Sequence, residues 1–425
     1  MASTFLSRTP SVAGDRRTHT FSFWYKRTGI SDQYAHFYTT SVDLLGLVND
    51  YLFFNFNGNV SGGYSFANNL LRDPSAWYHI VCAIDTTNAT ANDRLKLYLN
   101  GERLTPSYIN NPSQNYESGI NNTQIQVIGK RQSNNDRFLN GILAHYHFID
   151  GTAYDASAFG ETDSTTGIWR PKTSPSVTYG TNGFFLKFAS SGSMGTDSSG
   201  NGNNFTVGAG NLTQTQDTPS NVFCTLNPLS VATNHTLTNA NLTSTNSSSS
   251  QGGVNGTLNY PTSGKWYHEV KINAEDSSKG QGVGIGDNVY RSDWGTYSNF
   301  VGYLSDGTIT AQGDAGYTSY GTAQNVGDII GVAYNADDQE LTFYLNGTSQ
   351  GAISTSSMDG TIDFDNLCPL AFGRNMGQSF NFGNGYFGTT AVSSANSDGG
   401  GIGLFEYEVP SGYYALCTKN INTYG

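Results

Sequence analysis

Glu406 and Glu408, two glutamates separated by one residue, form the closest acidic pair on a strand-like stretch of this 425-residue chain. Side chains at i and i+2 of a strand share a face, and two carboxyls about 5 Å apart are what a retaining glycoside hydrolase uses. The pair stands in the C-terminal segment, beyond the strand-rich halves, where a solvated strand edge is the plainer expectation. No Ser, His and Asp array surrounds a nucleophile elbow, and no phosphate-cradling glycine loop opens a helix. A chain without bond-making chemistry is therefore expected.

Two further groups have the residue types of metal ligands. His145 and His147 project from one strand face at a spacing some zinc sites use, but a closed zinc site needs four ligands and no third is identifiable. Stacked polar side chains on an exposed face are expected there. Asp197, Asn201 and Asn203, within the run Asp197 to Asn204, offer oxygens at alternate positions as calcium candidates. Calcium takes about six to eight such oxygens, and a turn closed without an ion is the competing reading.

Recognition chemistry has a stronger candidate. The run Asp287 to Tyr297 places Tyr290, Arg291, Asp293, Trp294 and Tyr297 in one loop. Aromatic rings stack on the apolar faces of sugars or partner side chains, while Arg and Asp fix orientation by hydrogen bonds. The alternative is a local cap on the core. Asp32, Gln33, Tyr34 and His36 form a smaller cluster of the same kind.

The elements that must hold these residues are strands. Tyr-Leu-Asn-Gly occurs at Tyr98 to Gly101 and again at Tyr344 to Gly347, each after alternating apolar and polar residues. Asn-Gly favours a type I′ turn, so each copy reads as half of an antiparallel hairpin, with Leu95, Leu97 and Leu99 on one face and Leu341, Phe343 and Leu345 on one face of the other. Further strand-like runs are Thr20 to Tyr25, Trp77 to Ile84, Gln124 to Ile128, Ile142 to Ile149 and Phe184 to Phe188. The second half adds Val222 to Leu226, Lys265 to Ile272, Gly282 to Gly286, Asp328 to Tyr334, Pro369 to Phe372, Ser379 to Phe382 and Phe405 to Val409. Helix is confined to a turn or two near Asp155 to Phe159.

With 51 glycines, 13% aromatic and 13% charged residues, the composition favours short strands joined by turns. The expected class is all-β, as two tandem antiparallel jelly-roll β-sandwiches over residues 1–215 and 216–388, with a C-terminal segment over 389–425. Asn246 to Gln251 reads as a surface loop. Trp-Tyr-His precedes each Tyr-Leu-Asn-Gly, but at unequal spacing and in different strand register, so an internal duplication is not expected. A net charge of −12 disfavours a phosphate backbone, and nucleic acid is not an expected partner. Met1 to Pro10 lacks the apolar stretch of a secretory signal and no run reaches the roughly 20 apolar residues of a membrane span. Cys82, Cys224, Cys368 and Cys417 form no CxxC pair and read as buried free thiols, which fits a reducing site of synthesis.

Several of these runs resemble known families. His19 to Arg27, Trp77 to Val81, the Tyr98 to Gly101 hairpin and Phe138 to Gly151 resemble the laminin-G-like and pentraxin-like branch of the concanavalin A-like jelly rolls, over about residues 1–210. Gly264 to Val270, Val283 to Gly286, Gly327 to Val332, Leu341 to Gly347, Pro369 and Asn381 to Gly383 resemble the ordered blocks of SPRY domains over residues 220–385. The second resemblance implies that loops after the Val283 to Gly286 strand help form a ligand face. The first implies that calcium sites can lie in loops such as Asp197 to Asn204.

Asp150 to Tyr154, Phe159 to Thr162, Trp169 to Lys172 and Pro410 to Asn420 look like segments of tailed-bacteriophage virion proteins. That resemblance implies a phage virion surface protein of the tail-fibre type, made in the bacterial host cytoplasm, that binds a host-surface glycan or protein beside other virion proteins. A capsid decoration or head-fibre protein is the rival reading, and a glycan depolymerase a weaker one. A homo-oligomer, on the pattern of trimeric adhesins, is expected through sheet faces or edges, since no coiled-coil or collagen-like repeat is present.

Overall fold

The computed structural model describes residues 4–425 apart from 31–33, 57–63, 107–109, 135, 211, 276–279, 288–299, 312–316 and 355–365. Contacts divide the chain into two units, Met1–Gln214 and Thr215–Gly425. Each is a β-sandwich, and the all-β tandem expected from the sequence is what the chain adopts.

In the first unit, the six-stranded sheet runs Phe184–Leu186, Gly141–Asp150, Thr18–Arg27, Trp77–Asp85, Leu95–Leu99, Glu102–Arg103, all antiparallel. The facing seven-stranded sheet is closed at one edge by Leu6–Arg8 and Thr206–Val207, so the two ends of the unit pair with each other. Alternation puts Phe21, Phe23 and Tyr25, Tyr78, Ile80, Cys82 and Ile84, and Leu95 and Leu97 in one core.

The second unit repeats this order. Its larger sheet runs Thr243–Asn246, Met376–Asn381, Lys265–Ala274, Ile329–Asn335, Glu340–Leu345, Thr348–Ser354, with Thr236–Thr238 at the outer edge. Tyr414–Ala415 joins it as a short parallel strand on Lys265–Ala274. Trp266, Val270, Ile272, Leu341 and Phe343 enter the core. Trp77-Tyr78-His79 lies on the strand next to its hairpin, whereas Trp266-Tyr267-His268 lies one strand further away. That is why their spacings to the turn differ.

Both hairpin turns have the expected geometry: Asn100 and Gly101 at φ 50° and 90°, Asn346 and Gly347 at φ 49° and 80°. Each Asn also extends the ladder sideways. Asn100 donates its N–H to the His79 carbonyl and accepts the His79 N–H on Oδ1, at 2.9 and 2.8 Å. Asn346 does the same with Ile329, both at 2.9 Å.

Three sequence expectations need correction. Phe405 to Val409 is not a strand, since only Phe405 makes an isolated bridge, to Asn396. Val222 to Leu226 contributes a bridge at Phe223 and only the first residue of the strand Leu226–Val231. The turn of helix expected near Asp155 is present as the 3₁₀ turn Ala156–Ala158, but helix is not confined to it: the one α-helix among the described residues, Thr418–Tyr424, had no periodicity to announce it. Residues 389–425 are part of the second unit, with Phe405, Ala415, Leu416 and Cys417 fully buried.

A side chain at either turn glycine would be forced into a left-handed conformation, and its Cβ would lie 2.9 Å from the Trp169 ring at Gly101 or 2.7 Å from the Tyr407 ring at Gly347. Gly101→Ala and Gly347→Ala should each cost about 1–3 kcal/mol, against a few tenths for Gly412→Ala, whose Cβ meets nothing, beyond the shared strain of positive φ. Chemical denaturation of the three variants measures the difference.

Candidate functional site

The outer face of each hairpin-bearing sheet is covered by a segment that crosses it. In the first unit that face is covered by residues 151–180: Ala156 and Phe159, flanked by Tyr154, Trp169, Val177 and Tyr179, pack on Val81 and Ile149. The segment 150–172 is therefore a strap across the sheet. Asp155 caps its 3₁₀ turn by accepting the Ser157 N–H.

His79 sits beneath the strap, fully buried and stacked on Trp24 with ring centroids 4.8 Å apart. Trp169 donates its indole N–H to His79 Nδ1 at 3.0 Å, and His79 Nε2 lies 2.9 Å from Ser22 Oγ. An indole nitrogen can only donate, so Nδ1 is the acceptor and the ring proton sits on Nε2. Burial holds the imidazole down at about 3, with nearby His145 adding to the effect.

The expectation that His145 and His147 share an exposed face is corrected. A bulge between Ala144 and His147 breaks the alternation, with His145 at φ 48°. His147 is buried, stacks on Phe185 at 3.9 Å and bonds the Tyr179 hydroxyl through Nδ1 at 2.8 Å. Asp197, Asn201 and Asn203 do share one loop. The Asp197 carboxylate accepts N–H groups of Phe185, Ser199 and Asn203, while Asn201 and Asn203 donate their amides to the Gly183 carbonyl. Arg8 donates to Asn203 Oδ1. The Asp197 carboxylate and Asn203 Oδ1 are thus engaged by protein donors.

In the second unit the strap is the C-terminal segment, with Phe405, Val409, Ala415 and Cys417 packed on Tyr267 and Ala333. Tyr407 covers the hairpin glycine there, as Trp169 does in the first unit. Beneath it Glu269 is fully buried and accepts four hydrogen bonds. Its Oε1 takes the Tyr407 N–H at 2.9 Å and the Tyr267 hydroxyl at 3.3 Å, and its Oε2 takes the Glu406 N–H at 2.9 Å and Asn381 Nδ2 at 3.1 Å. Burial raises this carboxyl to about 7 against the pull of its four donors. Glu406 binds Ser393 through its own carboxylate, and Glu408 points to solvent. A second carboxylate, Asp398, ties the strap to itself and to the helix, accepting N–H groups of Gly400, Ile402 and Ala415 and the Asn420 amide.

Tyr290, Arg291, Asp293, Trp294 and Tyr297 lie outside the described residues, as do Asp32 and Gln33. Their neighbour Asp287 is buried, and its carbonyl accepts Asn255 Nδ2 at 2.5 Å. Tyr34 lies under the Arg137 guanidinium at 3.9 Å, and His36 is buried against Phe53. All four cysteines are buried and none forms a disulfide. His79, Glu269 and Asp398 escaped sequence reasoning. A lone glutamate within the apolar run Trp266 to Ile272 was a signal, but an outward-facing strand position with no strap would read the same way.

A family model described as the concanavalin A-like lectin/glucanases superfamily matches residues 6–158, and the SPRY domain model matches residues 265–385. Among solved structures, the chain is similar to the SPRY domain of human HERC1 at 16% identity, covering 36% of this chain and 96% of that one, with a TM-score of 0.31. A second human SPRY domain is 20% identical over 35% of this chain and 94% of that chain, with a TM-score of 0.27. Domains LG4-5 of the mouse laminin alpha1 chain are 10% identical, over 89% of this chain and 85% of that one, with a TM-score of 0.28. No curated protein matches the sequence.

Burial lowers every imidazole in the chain, His19, His36 and His235 to about 4, His79 and His268 to about 3, and His145 and His147 in the same direction. An unfolded histidine takes up a proton as pH falls through about 6.5 while the folded one does not, so each lowers stability as pH falls from about 6.5 toward its own folded value. Five of these groups are in the first unit. In the second, two are partly offset by Glu269, which takes up its proton while still folded. Residues 1–214 and 215–425, produced separately, should both fold, and between pH 6 and 4.5 the first should lose stability more steeply in urea titrations.

Proposed function

We propose that this chain, a concanavalin A-like domain followed by a SPRY domain, is a non-enzymatic recognition protein of a bacteriophage particle surface that binds a host-surface glycan or protein. The observation that supports it most is the fate of the groups able to do chemistry. His79 and Glu269 are spent on fastening a strap to a sheet, and Glu406 and Asp398 on closing the second strap on itself and on the helix, which makes the sandwiches rigid supports for their loops. Two domains of binding-type families in one chain agree with that use. The phage setting is supported by the virion-like runs, whose residues form the straps. The contact surface is assigned from sequence to Tyr290, Arg291, Asp293, Trp294 and Tyr297, in the loop after the strand Gln281–Asp287.

Binding of the purified protein to an array of bacterial surface polysaccharides and to intact host cells, run beside binding to purified empty capsids, tests the reading. Glycan or cell binding that Trp294→Ala weakens at least tenfold with an unchanged thermal midpoint is the expected result. Binding to capsids with none to cells or glycans would mean a capsid decoration role instead. A loss of several kcal/mol in Trp294→Ala would mark that ring as core.

A further inference from the structure

The strap over the first sandwich is tied to its sheet by few polar bonds. At its start the Thr20 hydroxyl donates to the Thr152 carbonyl and accepts the Tyr154 N–H, both at 2.8 Å. At its end the Asp150 N–H donates to the Tyr179 carbonyl, and the Tyr179 hydroxyl meets His147 Nδ1. In between, the strap bonds to itself: Gly160–Thr162 pairs with Trp169–Pro171, and Lys172 donates its N–H to the Phe159 carbonyl. From Asp155 to Thr178 the one polar tie to the sheet among the described residues is the Trp169 indole N–H on His79 Nδ1.

The atoms of that tie fix how it responds to acid. An indole nitrogen gives a hydrogen and accepts none, so His79 must keep Nδ1 bare, while Ser22 Oγ accepts from Nε2 on the other side. A second proton on the ring would go to Nδ1 and face the Trp169 N–H, donor against donor. Around the ring stand Ser22 and Trp24 from the strand Thr18–Arg27 and His145 and His147 from Gly141–Asp150, with Lys187 acting on both of those imidazoles. The hairpin strand Leu95–Leu99 brings Tyr98 to the same cluster, flanked by Asp155, Arg103 and Asp93. On the strap, Arg170 pairs with Glu161 and Asp163 at the surface. No carboxylate bonds to His79 to shelter an imidazolium, so the ring is protonated at least cost once the strap is off it.

We propose that residues 155–178 form an acid-released strap: protonation of His79 breaks the Trp169 tie and lets the strap lift from a sandwich that stays folded. Local opening of this kind costs less than unfolding the sheets, whose ladders it leaves whole. The ring sits at about 3 when covered and at its ordinary 6.5 when exposed, so the closed state binds the proton less tightly. Closure is at full strength above about pH 6.5 and weakens as pH falls toward 3.

Indole hydrogen exchange of the intact protein carrying isotope-labelled tryptophan, corrected for intrinsic rates, tests the release. Between pH 7 and pH 5 the Trp169 N–H should lose protection about twentyfold, while the backbone amides of Phe21 to Tyr25 in the sheet beneath keep theirs. In His79→Asn, whose amide takes up no proton, that difference should vanish; in His147→Gln it should persist. Should the asparagine variant misfold, histidine nitrogen spectra of the unaltered protein serve instead: His79 should carry its proton on Nε2 at pH 7 and gain the second over the range in which Trp169 loses protection. Equal protection of Trp169 at both pH values, parallel loss at Phe21 to Tyr25, the same pH dependence in His79→Asn, its disappearance in His147→Gln, or release while His79 stays neutral would each overturn the proposal.

Discussion

A sheet buried on both faces leaves the polar groups on its outer face to be partnered by whatever covers it, and in both units the strap supplies such partners. In the strand Thr18–Arg27 all residues but the first are buried, and the central part of Lys265–Ala274 is buried likewise. One face of each meets the opposite sheet. The other would present Trp24, Val81 and Ile149, or Tyr267 and Ala333, to water without its strap. Burying such faces stabilises the unit, at roughly 25 cal/mol per Å² of apolar surface, provided the polar groups trapped underneath find partners.

The two units meet this demand with different residues and one geometry. An aromatic ring from the strap, Trp169 or Tyr407, seats over the glycine of an Asn-Gly turn, where no Cβ could fit. A titratable side chain on the sheet, His79 or Glu269, then bonds to that same part of the strap. The electrostatic outcomes differ. His79 is neutral and has an indole donor that protonation would oppose. Glu269 is surrounded by donors that suit its charged form, in an environment whose low polarity opposes that charge, and so titrates near neutrality.

The fold was largely legible. Alternation in Leu95 to Leu99 and Leu341 to Leu345 named core-facing residues, and the Asn-Gly pairs named the turns, because strand period and turn stereochemistry are local properties. The site was less legible. His145 and His147 looked like a shared face because two-residue spacing presumes an unbroken strand, and the bulge at Ala144 cannot be read from residue types. Phe405 to Val409 alternated like a strand, yet its backbone donors go to a glutamate carboxylate and not to a ladder.

Local sequence by itself determined the all-β class, the two sandwiches, their hairpins and the buried cysteines, since each follows from side-chain period, turn preference and hydrophobicity over a few neighbouring residues. Only the tertiary structure decided what the chemically able residues are for. Glu269 lies 137 and 138 positions from Glu406 and Tyr407, and Trp169 lies 90 from His79. Whether such a group faces water or a strap depends on which distant segment crosses the sheet above it, and no local pattern carries that information.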